Sequence, residues 1–162
     1  MKITAAKTYK FSVPTGQALK DPHTGALISS ASKAWLFFKI ETDAGLVGYG
    51  EAGAAGPACR ANLQWLKHML IGADPLNIDM LYHKMVGLQH TYQSHGPTVS
   101  GVDIALWDLA GKILGRSVSE LLSGRYRDRV EIYYGGRVPD WSDRAAMDEW
   151  VASFRDHPHG YR

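Results

Sequence analysis

Residues Gly48-Tyr49-Gly50-Glu51-Ala52-Gly53 spell G-x-G-x-x-G. That pattern cradles dinucleotide phosphates on backbone N–H groups when a buried parallel strand leads in and a helix leads out. Asp74 even stands near the separation at which an acid would meet the ribose. The surroundings do not fit this chemistry. The preceding strand reads as the second arm of a hairpin, the next helix opens only at Pro57, and Asp74 lies in "GADPLN" with no strand before it. The glycines therefore read as conformational, letting a strand end turn sharply or other backbone pass closely. Glu51 sits at that strand end, where its carboxylate is either structural or faces a pocket.

Other side chains offer different chemistry. Lys20, Asp21 and His23 fall in "VPTGQALKDPHTGALISSASKA", a long polar loop at 13–34, and loops of that length in compact domains are commonly functional. Lys20 and His23 suit contact with a carboxylate or hydroxyls. His83, His90 and His95 invite a metal reading, but no carboxylate or cysteine completes a ligand set; helix-surface or helix-end histidines account for them. His157-x-His159 in a Pro/Gly turn is no stronger. Asp103 and Asp108 share one helix but point about 140° apart, so they form no acid/base pair. The one cysteine, Cys59, permits no internal disulfide and suits a reducing cytoplasm; it reads as a small buried apolar residue.

These residues must be held by elements that the patterns outline. Residues 1–12 read as a strand with polar interruptions. Leu36, Phe38 and Ile40 alternate with Phe37, Lys39 and Glu41 in the period of a half-buried strand. "TDAG" at 42–45 turns that strand into a second one over 46–50, forming an antiparallel hairpin. A helix is predicted from Pro57 to Gly72, with Ala58, Ala61, Trp65, Leu66, Met69 and Leu70 as its apolar stripe and Leu63 at the margin. A second begins near Asn77 and carries Ile78, Leu81, Tyr82, Met85 and Leu88. A third spans 100–115, with Ser100 and Asp103 as a capping box, and Val102, Ala105, Leu106, Leu109, Ala110 and Ile113 as its apolar face. Gly115 follows as its stop. Asp108 and Lys112 are placed as an i,i+4 pair on the exposed side. After a helical turn at "SVSELLSG" come the local basic run "RYRDR" (125–129), a short β-rich run "VEIYYGG" (130–136), and a last helix with Ser142 as N-cap.

Composition narrows the function classes. The 162 residues are 45% apolar and carry a net charge of +2, too small and too scattered to argue for nucleic acid. No stretch has the length of a signal peptide core or a membrane span, so a cytoplasmic protein is expected, without nucleic acid or membrane as partner.

An antiparallel sheet followed by helices, then a new β-then-α unit, is an α+β domain leading into a larger α/β one. With "GLVGYGE" (45–51), "ALWDLAGKILG" (105–115), "ELLSG" (120–124) and "VEIYYGG" in that order, the chain resembles the enolase superfamily, specifically the mandelate racemase/muconate lactonizing enzyme group. The resemblance organises essentially the whole chain. It departs at Ser123, where the family more often has glycine, and in "RSVSELL", which lacks a proline common before the leucines.

The resemblance implies a capping domain (residues 1–128) followed by the first strand and helix (129–162) of an incomplete TIM-like (β/α) barrel. It implies abstraction of a proton α to a carboxylate, with Mg²⁺ stabilising the product of that step and a Lys or His as base. The 13–34 loop would close over the substrate, and Lys20 and His23 would touch it. Tyr134, near the end of the first barrel strand, would line the pocket, with its neighbour Tyr133 as the alternative. The family's Lys-x-Lys pair follows a "GYR"-like approach, whereas this sequence ends at Gly160-Tyr161-Arg162. The catalytic and metal-binding residues are therefore expected beyond it, and the chain is expected to be the N-terminal part of a longer or truncated protein. The expected activity is a sugar-acid dehydratase acting as a homo-oligomer, with a racemase, epimerase or cycloisomerase as alternative. A reading from another class is a non-catalytic α+β module that associates through an exposed 130–136 strand.

Overall fold

A computed structural model describes residues 1–14, 16, 19–20, 27–29, 32–52, 57–87, 96–131 and 139–155. The chain divides into two compact units, residues 1–123 and 124–162.

In the first unit, β1 (Ile3–Pro14), β4 (Ser32–Thr42) and β5 (Val47–Ala52) form an antiparallel sheet in the order β1-β4-β5. Between β1 and β4 lie two short strands, β2 (Leu19–Lys20) and β3 (Leu27–Ser29), paired with each other. The expectation of a loop throughout 13–34 is thus corrected. The flanking strands run further into it, and the hairpin satisfies part of its backbone hydrogen bonding locally. The 42–45 turn forms as predicted, closed by the Thr42 N–H donating to the Leu46 carbonyl at 3.1 Å.

Alternation sorts β4 cleanly: Leu36, Phe38 and Ile40 are buried on one face, and the helices cover that face. These are α1 (Pro57–Leu70), α2 (Ile78–Gly87) and α3 (Gly96–Leu114), followed by the single turn α4 (Val118–Leu121). From α1 the core receives Cys59, Leu63, Leu66 and Leu70, spaced i, i+4, i+7 and i+11. The predicted stripe was rotated: Ala58 and Ala61 are exposed, and Trp65 is 74% exposed. Either stripe satisfies helical periodicity, and the sheet selected the one built of Cys and Leu. In α2, Ile78, Leu81 and Met85 are buried while Tyr82 is exposed; Leu88 lies outside the described residues. Among the described residues no helix is long and apolar enough to cross a membrane.

The third helix begins four residues earlier than predicted, with Pro97 in its first turn, so Ser100 and Asp103 lie inside it and form no capping box. Asp103 instead takes a hydrogen bond from Trp107, and burial pushes its carboxyl up. The box occurs at the next helix. The Ser117 hydroxyl accepts from the Glu120 N–H, and the Ser117 N–H donates to the Glu120 carboxylate at 2.8 Å. Ser117-Val118-Ser119-Glu120 spells the S-x-x-E of a capping box.

In the second unit, α5 (Arg144–Arg155) is capped by Asp143, whose Oδ1 accepts from the Ala146 N–H at 2.9 Å. Ser142, the predicted cap, gives both its N–H and its hydroxyl to Asp140. A carboxylate one residue nearer the helix takes the first-turn donors. Of the predicted 130–136 strand, Val130 and Glu131 are described and lie in no strand; the rest is outside the described residues.

The glycines at 48 and 50 have the structural purpose the sequence suggested. Each β5 glycine points at α3: a Cβ on Gly48 would run into the Ala105 carbonyl, and one on Gly50 into the Gly101 carbonyl and, at 2.8 Å, the Ala105 nitrogen. Helix backbone therefore lies directly on strand backbone. Gly50→Ala should cost about 3 kcal/mol, read as a fall in the urea midpoint. Ser123 holds a φ of 79°, a conformation glycine adopts without strain. Ser123→Gly should therefore raise stability by about 0.5–1 kcal/mol, measured in the same unfolding series.

Candidate functional site

Of the residues expected to touch substrate, Lys20 is the one whose backbone is described. It lies in β2, paired with Leu27 of β3. Its side chain, His23 and Tyr134 fall outside the described residues, as do Tyr133, His90, His95, His157 and His159. His83 is described, exposed on α2 and 3.6 Å from Asp79 one turn earlier, which is the helix-surface role expected for it. Cys59 is buried, as a small apolar residue would be. Among the described residues no three His, Cys, Asp or Glu side chains are grouped to hold a metal ion.

One concavity formed by described residues does not follow from the sequence reading. Tyr9 and Phe11 of β1, Phe37 and Lys39 of β4, and Tyr49 of β5 line an open hollow of about 550 Å³ on the sheet face opposite the helices. The register explains the grouping: Tyr9 stands beside Phe37, and Lys39 beside Tyr49. The rings of Phe11 and Phe37 meet edge to face at 5.7 Å. The signal was present in β1 as Lys7, Tyr9, Phe11 and Val13 at every second residue. It was read as polar interruption because apolar residues on the wrong parity look like noise until a partner strand fixes the faces.

Charge on this face is concentrated at Glu41. Lys39 Nζ lies 2.8 Å from Glu41 Oε1 and Lys7 Nζ 3.0 Å from it. Hydrogen bonds from Lys39 and then Lys7 hold the Glu41 carboxyl below its ordinary range, and the bond to Glu41 holds the Lys39 ammonium above its own. Lys39 and Lys7 are thus both committed to one carboxylate, and the rest of the lining is aromatic. Its capacity is apolar contact.

Glu51 also lies on this face, exposed and across from Phe37, so it points away from the helices. Asp108 and Lys112 are corrected more substantially. They do pair, at 2.6 Å, but not as a free surface pair. Asp108 Oδ2 accepts from the Tyr49 N–H at 2.8 Å, and Lys112 Nζ donates to the Val47 carbonyl at 2.8 Å. Helix side chains thus grip the backbone of β5.

The N-terminal domain of mandelate racemase/muconate lactonizing enzymes matches residues 7–123 of this chain. A D-galactonate dehydratase of Verminephrobacter eiseniae is 42% identical over 111 residues, 65% of this chain and 29% of its own length. A D-xylonate dehydratase of Haloferax volcanii is 40% identical over 119 residues, 71% of this chain and 29% of its own. The chain thus spans under a third of the length of these relatives. Among solved structures, a protein from Roseovarius nubinhibens assigned to the same group and complexed with magnesium superposes with a TM-score of 0.72. It is 27% identical, covering 96% of this chain and 42% of its own.

Because Glu41 titrates below its ordinary 4.5 in the folded state, its pairing adds stability above that pH. The contribution is lost as pH falls through the lowered folded value. An NMR titration should place Glu41 below 4.5 in the wild type and move it upward in Lys39→Met; an unchanged midpoint would remove the Lys39 pairing as the cause.

Proposed function

This chain belongs to the mandelate racemase/muconate lactonizing enzyme family of the enolase superfamily, and on that footing we propose that it is the N-terminal part of a sugar-acid dehydratase. The observation that carries the reading is identity of about 40% to relatives named D-galactonate and D-xylonate dehydratase. On this reading residues 1–128 cap the mouth of a barrel whose first strand and helix are 129–162. The reaction removes water from a polyhydroxylated acid, beginning with loss of the proton α to its carboxylate.

The chain's own contribution lies in binding. Lys20, on the β2–β3 hairpin between β1 and β4, offers an ammonium to the carboxylate, and His23 offers ring nitrogens to hydroxyls. Tyr134 lines the pocket from the barrel side. A divalent ion would supply positive charge to the carboxylate oxygens; the magnesium complex of the Roseovarius nubinhibens relative supports its presence. The described residues of this chain do not form a site for it.

The test is an assay of the full-length protein encoded with this domain, supplied with D-galactonate and D-xylonate and followed by release of the dehydrated keto acid. Turnover of at least one is expected; turnover of neither, with epimerisation instead, would replace dehydration by the racemase reading. In the active enzyme Lys20→Met should raise KM about tenfold or more, the size of one charge-assisted hydrogen bond, with a smaller change in kcat. An unchanged KM would remove Lys20 from the substrate.

A further inference from the structure

Among the described residues, strand β5 is an edge of the three-stranded sheet, bonded to β4 on one side. An edge strand exposes a row of backbone N–H and C=O groups, which is a template for strand addition by another molecule. Two of those groups on β5, the Tyr49 N–H and the Val47 carbonyl, are taken by Asp108 and Lys112 of α3. An incoming strand would offer a carbonyl to the first and an N–H to the second. The helix offers a carboxylate oxygen and an ammonium at the same two points, each 2.8 Å from its target.

We infer that Asp108 and Lys112 form a plug that stands in for a neighbouring strand and keeps a second copy of this chain from pairing through β5. The spacing serves this arrangement. The i,i+4 step on the helix advances about 6 Å and two strand residues advance about 6.6 Å, so one helix turn matches the repeat of outward-pointing backbone groups. Lys112 Nζ also sits 5.1 Å from the Tyr49 ring centroid, so the ring, the backbone and the ion pair close on one another. An ordinary surface pair has none of this. Arg144 and Asp148 on α5, also i,i+4, stand 3.9 Å apart with both side chains largely exposed, and no strand backbone is bonded to either among the described contacts.

A second copy is the occupant to exclude, because identical β5 edges are self-complementary. With the twofold axis at Tyr49, Val47 of one copy faces Glu51 of the other, and no like charges meet.

The test compares the 162-residue chain with Asp108→Ala/Lys112→Ala, with Lys112→Met alone, and with Arg144→Ala/Asp148→Ala as a control that deletes equivalent charges. In the double variant, hydrogen exchange at the Tyr49 amide should quicken by about ten- to a hundredfold at low concentration, the factor one charge-assisted bond represents. Sedimentation should then show association that grows with concentration and restores protection at Tyr49. Lys112→Met keeps the carboxylate on the Tyr49 N–H and should leave that amide slow, which separates a local opening from a failure to fold. A double variant that stays as protected and as monomeric as the control would overturn the proposal. So would association that leaves the Tyr49 amide unprotected.

Discussion

The contact on which the first unit depends is the lie of α3 backbone against β5 backbone. Gly48 and Gly50 clear the strand surface, and the carbonyls of Ala105 and Gly101 occupy the space side chains would have filled. Because the repeats of helix and strand nearly coincide, one approach recurs at the next pair, and the same register carries Asp108 to Tyr49 and Lys112 to Val47. Close approach then presses Val102, Ala105, Leu106 and Leu109 onto Leu36, Phe38 and Ile40, all buried. Helices α1 and α2 close over what remains with leucines and Met85. Larger side chains on β5 would hold the helix away and leave a gap that the rest of the core is not shaped to fill.

The sheet's two faces have consequently diverged. Toward the helices it is apolar and close-packed. On the other side the same strands carry Tyr9, Phe11, Phe37 and Tyr49 beside one Glu41 shared by Lys7 and Lys39. That face offers mainly aromatic contact area, with its lysines 7 and 39 paired to Glu41. The residues proposed to meet substrate, Lys20, His23 and Tyr134, fall outside β1, β4 and β5 in the sequence.

Much of the fold was legible because its signals are local. The β4–β5 hairpin follows from strict alternation broken by "TDAG", and α3 from a broad apolar face ending at Gly115. The family was legible from "GLVGYGE" and "ALWDLAGKILG", stretches that turn out to be the two sides of one contact. What stayed hidden was whatever a partner had to decide. Two apolar stripes on α1 share the same period, and Trp65 was placed inside although it stands 74% exposed. Capping was misassigned at Ser100 because a Ser with an acid three residues on does not by itself mark a helix start. The residues proposed to meet substrate were singled out by loop length and by the resemblance, since no catalytic constellation is spelled out in the chain.

By itself, the sequence determined the parity of β4, the order of the helices and the absence of side chains at 48 and 50. Each of these is a property of neighbours within a few residues. It could not determine what the missing side chains were missing for, because a glycine records vacancy and not its occupant. The tertiary structure decided that the occupant is a helix backbone and not a phosphate. It also decided that Asp108 and Lys112, an ordinary helical pair along the chain, face a strand edge some 60 residues away in sequence. Hydrogen bonds of that kind depend on which surfaces meet, and no local pattern encodes the meeting.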